Sequence, residues 1–223
     1  MKRVGGDLSD DAVESLVRLV DELPGGNSDY AVAGDLVLVL SNDNWGKLVH
    51  SRVFESLDVL RGSDGKLPAG ILNKPAGAGS SGLLLNLRRG NLGHAFEPVG
   101  TANMVKSGVF SADQITEMGR KFRARTPGRR TVEADVWIQV DGHFIDLKAS
   151  NGSIERPAAR DLALQIIEGG STGVRRGSYA VQSPGLSSSK KRIIDAANEL
   201  IGDYNEITGE KLPLIDVIDA GTF

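Results

Sequence analysis

The sequence predicts an α/β fold, a central sheet flanked by helices, preceded by a smaller α/β unit. Three observations predict it. Residues 131–150, TVEADVWIQVDGHFIDLKAS, read as two strands joined at Asp141-Gly142, a dipeptide favoured in two-residue type I′ hairpin turns. Helical patterns over 157–168 and 187–204 alternate with short apolar runs at 178–182 and 212–218. A stretch rich in Gly, Pro, Ser and Ala, residues 61–82, separates this part from what precedes it. The expected units are therefore 1–82 and 83–223.

Composition narrows the chemistry. The chain has 223 residues, 40% hydrophobic and 25% charged, an ordinary globular balance. It has no cysteine, which excludes disulfides, cysteine-ligated zinc and thiol nucleophiles. No apolar run approaches a membrane span, and MKRVGGDLSDD lacks the apolar centre of a signal peptide. A soluble protein is expected, exported only as part of something larger. Net charge is −3 but uneven. Residues 1–118 hold 11 Lys/Arg against 15 Asp/Glu, residues 119–192 hold 14 against 7, and residues 193–223 hold 1 against 7. The basic third contains the hairpin, as a site for a polyanion requires.

In the first unit, Ser9 caps an expected helix whose stripe is Val13, Leu16, Val17, Val20 and Leu23, stopped at Pro24-Gly25-Gly26. Tyr30 to Leu40 reads as a buried strand or a hairpin. Trp45 to Leu60 reads as a second helix, with Val53, Leu57 and Leu60 on one side. Gly77 to Gly82 spells GxGxxG, but Pro75 breaks any strand leading in, so no dinucleotide site is expected. GK[ST], GxSxG and HExxH are absent, which removes the phosphate loop, the serine-hydrolase elbow and the zincin pair.

Beyond residue 82, a helix is expected to include GNLGHAFE (90–97). Ser111 and Gln114 suggest a capping box opening a helix that carries Glu117. GRKFRARTPGRR (119–130) holds six basic residues and no acid. As an edge strand ending at Pro127-Gly128 it places Arg123 and Arg125 on one face for phosphates, with Arg129 and Arg130 following. Such charge also protects an edge strand against aggregation.

The hairpin carries the chemistry. A two-residue turn sets Val140 opposite His143, Trp137 opposite Asp146 and Asp135 opposite Lys148. Alternation puts Val132, Ala134, Val136, Ile138, Val140, Ile145, Leu147 and Ala149 on one face. Asp135, Asp146 and Lys148 then converge on the other. This is either a cross-strand ion pair on a solvated face or a site where two carboxylates need a cation between them. Hard oxygen ligands suit Mg²⁺.

An acid on one strand followed by Asp146-Leu147-Lys148 on the next resembles the PD-(D/E)XK nuclease superfamily. The order helix, strand, hairpin, helix, strand, helix, strand from Leu84 is similar to its restriction-endonuclease-like αβββαβ core, a mixed sheet flanked by helices. The resemblance implies Mg²⁺ or Mn²⁺ held by Asp135 and Asp146, joined by a glutamate from the preceding helix, Glu97 or alternatively Glu117. Pro98 departs from the pattern, because it pushes Glu97 towards a helix end or a turn. Lys148 would position the attacking water, and Gln165 on the 157–168 helix would touch substrate. Lys190 and Lys191, disfavoured at a helix start by the dipole, would answer an anionic ligand.

The implied activity is phosphodiester hydrolysis of nucleic acid, either tRNA or DNA. A compact nuclease without cysteine also looks like the C-terminal toxin regions of bacterial contact-dependent and polymorphic systems. Such regions act in a competitor's cytoplasm and are neutralised by an immunity protein, here expected to be small and acidic. A repair or restriction endonuclease of the same fold and a non-catalytic nucleic-acid-binding module remain as alternatives.

Overall fold

A computed structural model describes residues 47–71, 92–125, 132–151, 154–169, 173–182 and 187–222. The helix expected after Ser9, the Tyr30–Leu40 segment, the Gly77–Gly82 run, Arg129 and Arg130 lie outside the described residues. In chain order the elements are α1 (Lys47–Val59), α2 (Leu92–Lys106), a 3₁₀ turn (Ala112–Gln114), β1 (Glu117–Phe122), β2 (Val132–Ile138), β3 (His143–Asn151), α3 (Arg156–Gly169), β4 (Arg176–Gln182), α4 (Ser188–Thr208) and β5 (Ile215–Asp219). The five strands form one mixed sheet in the order β1-β2-β3-β4-β5. The first three strands are antiparallel neighbours. β3, β4 and β5 are parallel, each joined to the next through a helix, because a parallel connection must cross back over the sheet. No helix among the described residues is long and apolar enough to cross a membrane.

Alternation along β3 sends neighbouring side chains into two cores. Ile145 and Leu147 belong to one core with Phe96 and Val99 of α2 and, behind them, Phe54 and Leu57 of α1. Phe144 meets Leu162 and Ile166 of α3 and Ala197 and Ile201 of α4. Helices therefore cover both faces, α3 and α4 on one and α2 on the other, with α1 packed against α2. The segment after α1 joins the first core as well: Ile71 is buried, and the Met118 N–H donates to the Ala69 carbonyl at 2.8 Å. The expected boundary at residue 82 thus does not divide the described residues into separate cores.

Four local expectations need correction. The hairpin pairs Val136 with Ile145, Trp137 with Phe144 and Ile138 with His143, two residues away from the expected register. The loop is Gln139 to Gly142, closed by the Gly142 N–H on the Gln139 carbonyl at 3.2 Å. Gly142 has φ +59°, a Cβ there would stand 2.3 Å from the Gly173 carbonyl oxygen, and its own carbonyl accepts from the Arg175 and Arg176 N–H groups. Contacts with the chain before β4 therefore set the loop length, and Val140 is left exposed in the loop. A shift of two, unlike a shift of one, preserves which face each side chain takes.

Second, β2 does not keep one apolar face. Val136 and Ile138 lie in the α1/α2 core, whereas Val132 and Ala134 lie in the α3/α4 core. The same exchange occurs in β1 between Met118 and Phe122 while the register stays unbroken. Both strands turn over at Gly119, φ +66°, which lies level with Asp135. Third, Glu97 does not end a helix: Pro98 is buried inside α2. Packing overrides the proline, with Ala95, Phe96, Val99 and Ala102 buried and Gly100 so near β3 that a Cβ would stand 2.7 Å from Leu147 Cδ2. Fourth, the Ser111–Gln114 capping box is present but opens only a 3₁₀ turn, and Glu117 begins β1.

Candidate functional site

The β2–β3 ladder holds for three residue pairs and stops at Val136 and Ile145. The next step would set Asp135 level with Asp146, and there the two strands fork. The Asp135 carboxylate takes over from the ladder, its Oδ2 accepting the Leu147 N–H at 2.6 Å. Along β3, Asp146 and Lys148 share a face, and Lys148 Nζ donates to Asp146 Oδ1 at 2.8 Å. Asp146 is only 4% exposed, so this ion pair is the carboxylate's main compensation for leaving water.

Electrostatics agree with the crowding. Burial pushes the Asp135 carboxyl well above its ordinary value, the charges of Asp146 and Glu97 push it further, and Lys148 and the Leu147 N–H oppose them. Burial works against the Lys148 ammonium, but the charge and hydrogen bond of Asp146, with Asp135, hold its pKa above the usual lysine range. A half-buried acid that resists ionisation beside a second acid is an environment that a cation relieves. Two carboxylates and a main-chain carbonyl are also the hard oxygen donors that Mg²⁺ or Mn²⁺ prefers. Asp135 and Asp146 fit such an ion. Glu97 is near enough for its charge to reach Asp135, yet no group of three or more His, Cys, Asp or Glu is spaced to hold a metal among the described residues.

The remaining expected residues divide. Arg123 is exposed just beyond β1. Arg125 is committed elsewhere: it forms a bidentate pair with Glu210, Nη2 to Oε2 at 2.8 Å, and donates to the Tyr204 hydroxyl at 2.8 Å. It ties the end of β1 to the α4 end of the chain and does not join Arg123 as a phosphate ligand. Glu117 pairs with Arg120 at 3.6 Å on β1. Gln165 lies on α3 with its buried Oε1 lacking a hydrogen-bond partner. Lys190 and Lys191 occupy the first turn of α4, beyond the C-terminal end of β4. The fork opens towards that same end, since β3 and β4 run parallel. In open α/β sheets the C-terminal ends of parallel strands are where ligands bind.

The chain matches no protein-family model, no curated protein and no solved structure.

A polar chain running from buried His143 and Ser178 to the surface was not anticipated. His143 Nε2 lies 2.6 Å from Ser178 Oγ, and Ser178 donates to Asp216, which also accepts from Arg176 Nη2 at 2.9 Å. These residues come from β3, β4 and β5, so only the strand order brings them together. No spacing in the sequence signals it.

Proposed function

We propose that the chain is a metal-dependent nuclease with a restriction-endonuclease-like core, hydrolysing phosphodiester bonds of tRNA or DNA. The fork carries this reading: β2 and β3 separate where Asp135, Asp146 and Lys148 meet. The order of elements from α2 to β5 and the mixed sheet support it. Asp135 and Asp146 would hold Mg²⁺ or Mn²⁺, with the Leu147 carbonyl beside them. When bound, such an ion supplies Lewis-acid stabilisation of charge at the phosphate. Lys148 orients the attacking water and offsets negative charge developing on the phosphoryl oxygens. Asp146 aims the ammonium. Arg123 and Lys191, both exposed, bind flanking phosphates at little desolvation cost, with Lys190 beside them.

A non-catalytic nucleic-acid-binding module is the second reading, favoured by the Lys148–Asp146 pair, in which each charge already has a partner. Cleavage of tRNA and plasmid DNA, with Mg²⁺ and with EDTA, separates the two. The nuclease reading expects turnover that EDTA abolishes, and Asp146→Ala and Lys148→Ala that bind nucleic acid but have lost most turnover. Full cleavage by either variant would refute it. The biological role proposed is a bacterial toxin domain restrained by a small acidic immunity protein. A repair or restriction enzyme is the alternative, and an acidic partner encoded next to the chain decides for the toxin.

A further inference from the structure

β1 and β3 each run antiparallel to β2, and β4 and β5 run parallel to β3, so these four strands all end at the same end of the sheet. The fork opens there. α3 begins at Arg156, shortly after β3 stops at Asn151, and α4 begins at Ser188, shortly after β4 stops at Gln182. Both helices therefore start beside the fork. They pack against each other over one core, which sets their axes about 8–10 Å apart and makes their first turns neighbours. Neither first turn carries an acid. α3 instead shows Arg156 and Arg160 to solvent, four residues apart and so on one side of the helix, while Ala159, Leu162 and Ala163 are buried. α4 shows Lys191 and Arg192.

These cations do nothing for the helices that carry them. Like charges four residues apart on a helix repel, and a helix start favours anions over cations. Nor are they used within the chain. Arg61, Lys66, Arg120, Lys121, Arg125 and Arg176 each pair with a carboxylate. Arg156, Arg160, Lys191 and Arg192 have no ion pair among the described residues, although Glu155, Asp161 and Asp195 lie within a few positions of them. We propose that Arg156 and Arg160 of α3, with Lys191 and Arg192 of α4, form one phosphate-binding surface beside the fork, along which the sugar–phosphate backbone of a nucleic acid lies. The proposal deepens the nuclease reading by giving its substrate a path, and rests on that reading for the purpose of the binding. Guanidinium groups suit the role, because their planar fork meets two phosphate oxygens at once. Exposed cations without partners give up little hydration and no internal bond when a phosphate arrives. Arg123, just beyond β1, stands at the same end of the sheet.

Two double variants test it, Arg156→Ala with Arg160→Ala and Lys191→Ala with Arg192→Ala. A third, Arg175→Ala with Lys211→Ala, removes two exposed cations at the opposite end, ahead of β4 and β5. Filter binding of tRNA and of duplex DNA is measured in EDTA across a salt series, with a thermal melt of each protein. Each of the first two variants should lower the slope of log affinity against log salt by about two phosphate contacts, and the third should leave it alone. Melting temperatures of the first two should hold or rise, because repulsion and an unfavourable dipole contact are removed. A slope that falls with tRNA alone assigns the surface to RNA, and one that falls with duplex DNA alone assigns it to DNA. Slopes unchanged with both polymers in either of the first two variants overturn the proposal. So do an equal fall in the opposite-end variant and a wild-type protein that binds neither polymer. Slopes that fall as expected in a protein that cleaves nothing with Mg²⁺ uphold the surface and remove the nuclease reading.

Discussion

Asp135 gives one carboxylate oxygen to the Leu147 N–H, and burial, Asp146 and Glu97 all disfavour its charge. Its folded pKa lies above the ordinary 3.8, so on raising the pH the unfolded chain releases its proton first. Stability therefore falls as pH rises through the window above 3.8, and the cost of the charged form is complete above the folded value. Asp135→Asn keeps an oxygen for the Leu147 N–H and removes the charge. In EDTA at pH 7.5 it should raise the melting temperature, each 1 kcal/mol amounting to about 2–4 °C for a chain of this size. The gain should vanish near pH 3, and calorimetry at the two pH values checks it. His143 has the opposite sign. Burial, then Arg176, lower its pKa to about 4, against Asp216 and Asp141. Between 6.5 and 4 the unfolded chain takes up a proton that the folded chain refuses, so stability is lost across that window as pH falls. The loss is about 3 kcal/mol at most. Urea unfolding at pH 7 and 4.5 should show it, and His143→Gln, which can still donate to Ser178, should flatten the difference.

At the scale of elements, strand alternation put Asp146 and Lys148 on one face while the register escaped. Asp146 and Lys148 share a face in either register, because alternation along β3 alone sets it, whereas Asp135 stands at the inversion in β2 and meets β3 by accepting the Leu147 N–H. The loop length was not legible because the contacts of Gly142 with Gly173, Arg175 and Arg176 set it, more than thirty residues along the chain. The inversion at Gly119 was hidden for a similar reason. A glycine in a strand signals a bend, but which side chains change core depends on the helices that cover each face. Basic residues in one run also proved unequal. Arg125 is held by Glu210 and Tyr204, whereas Arg123 is exposed. Arg123→Ala should reduce the slope of log affinity against log salt by about one phosphate contact. Arg125→Ala should leave the slope alone and lower the melting temperature. Filter binding across a salt series, beside thermal melts, tests both; a changed slope for Arg125→Ala would return it to the substrate surface.

At the scale of the whole molecule, composition suggested two units, and the described residues of the first pack into one core with α2 and the sheet. A run of Gly, Pro and Ser reports how easily the backbone bends, not what the bending chain packs against. Residues 61–71 fall in that run, yet Ile71 is 4% exposed, and Leu60, Leu57, Phe54 and Val53 just before it are 0–1% exposed. All five lie in the same cluster as Phe96, Ile138, Ile145 and Leu147. α2 sits between α1 and the sheet side that carries Leu147, so α1 backs the helix that carries Glu97. A fragment covering 83–223 would leave Phe96 and Val99 uncovered on one side, and buried apolar area contributes about 25 cal/mol per Å². It is expected to be insoluble or to unfold without a cooperative transition. Phe54→Ala in the full chain tests the same point more gently, with an expected loss of about 3–5 kcal/mol from transfer and cavity together. Chemical denaturation measures that loss. A fragment from residue 83 that melts cooperatively at the full-length temperature, or a Phe54→Ala loss below about 1 kcal/mol, would show that α1 only rests on an independent α/β core.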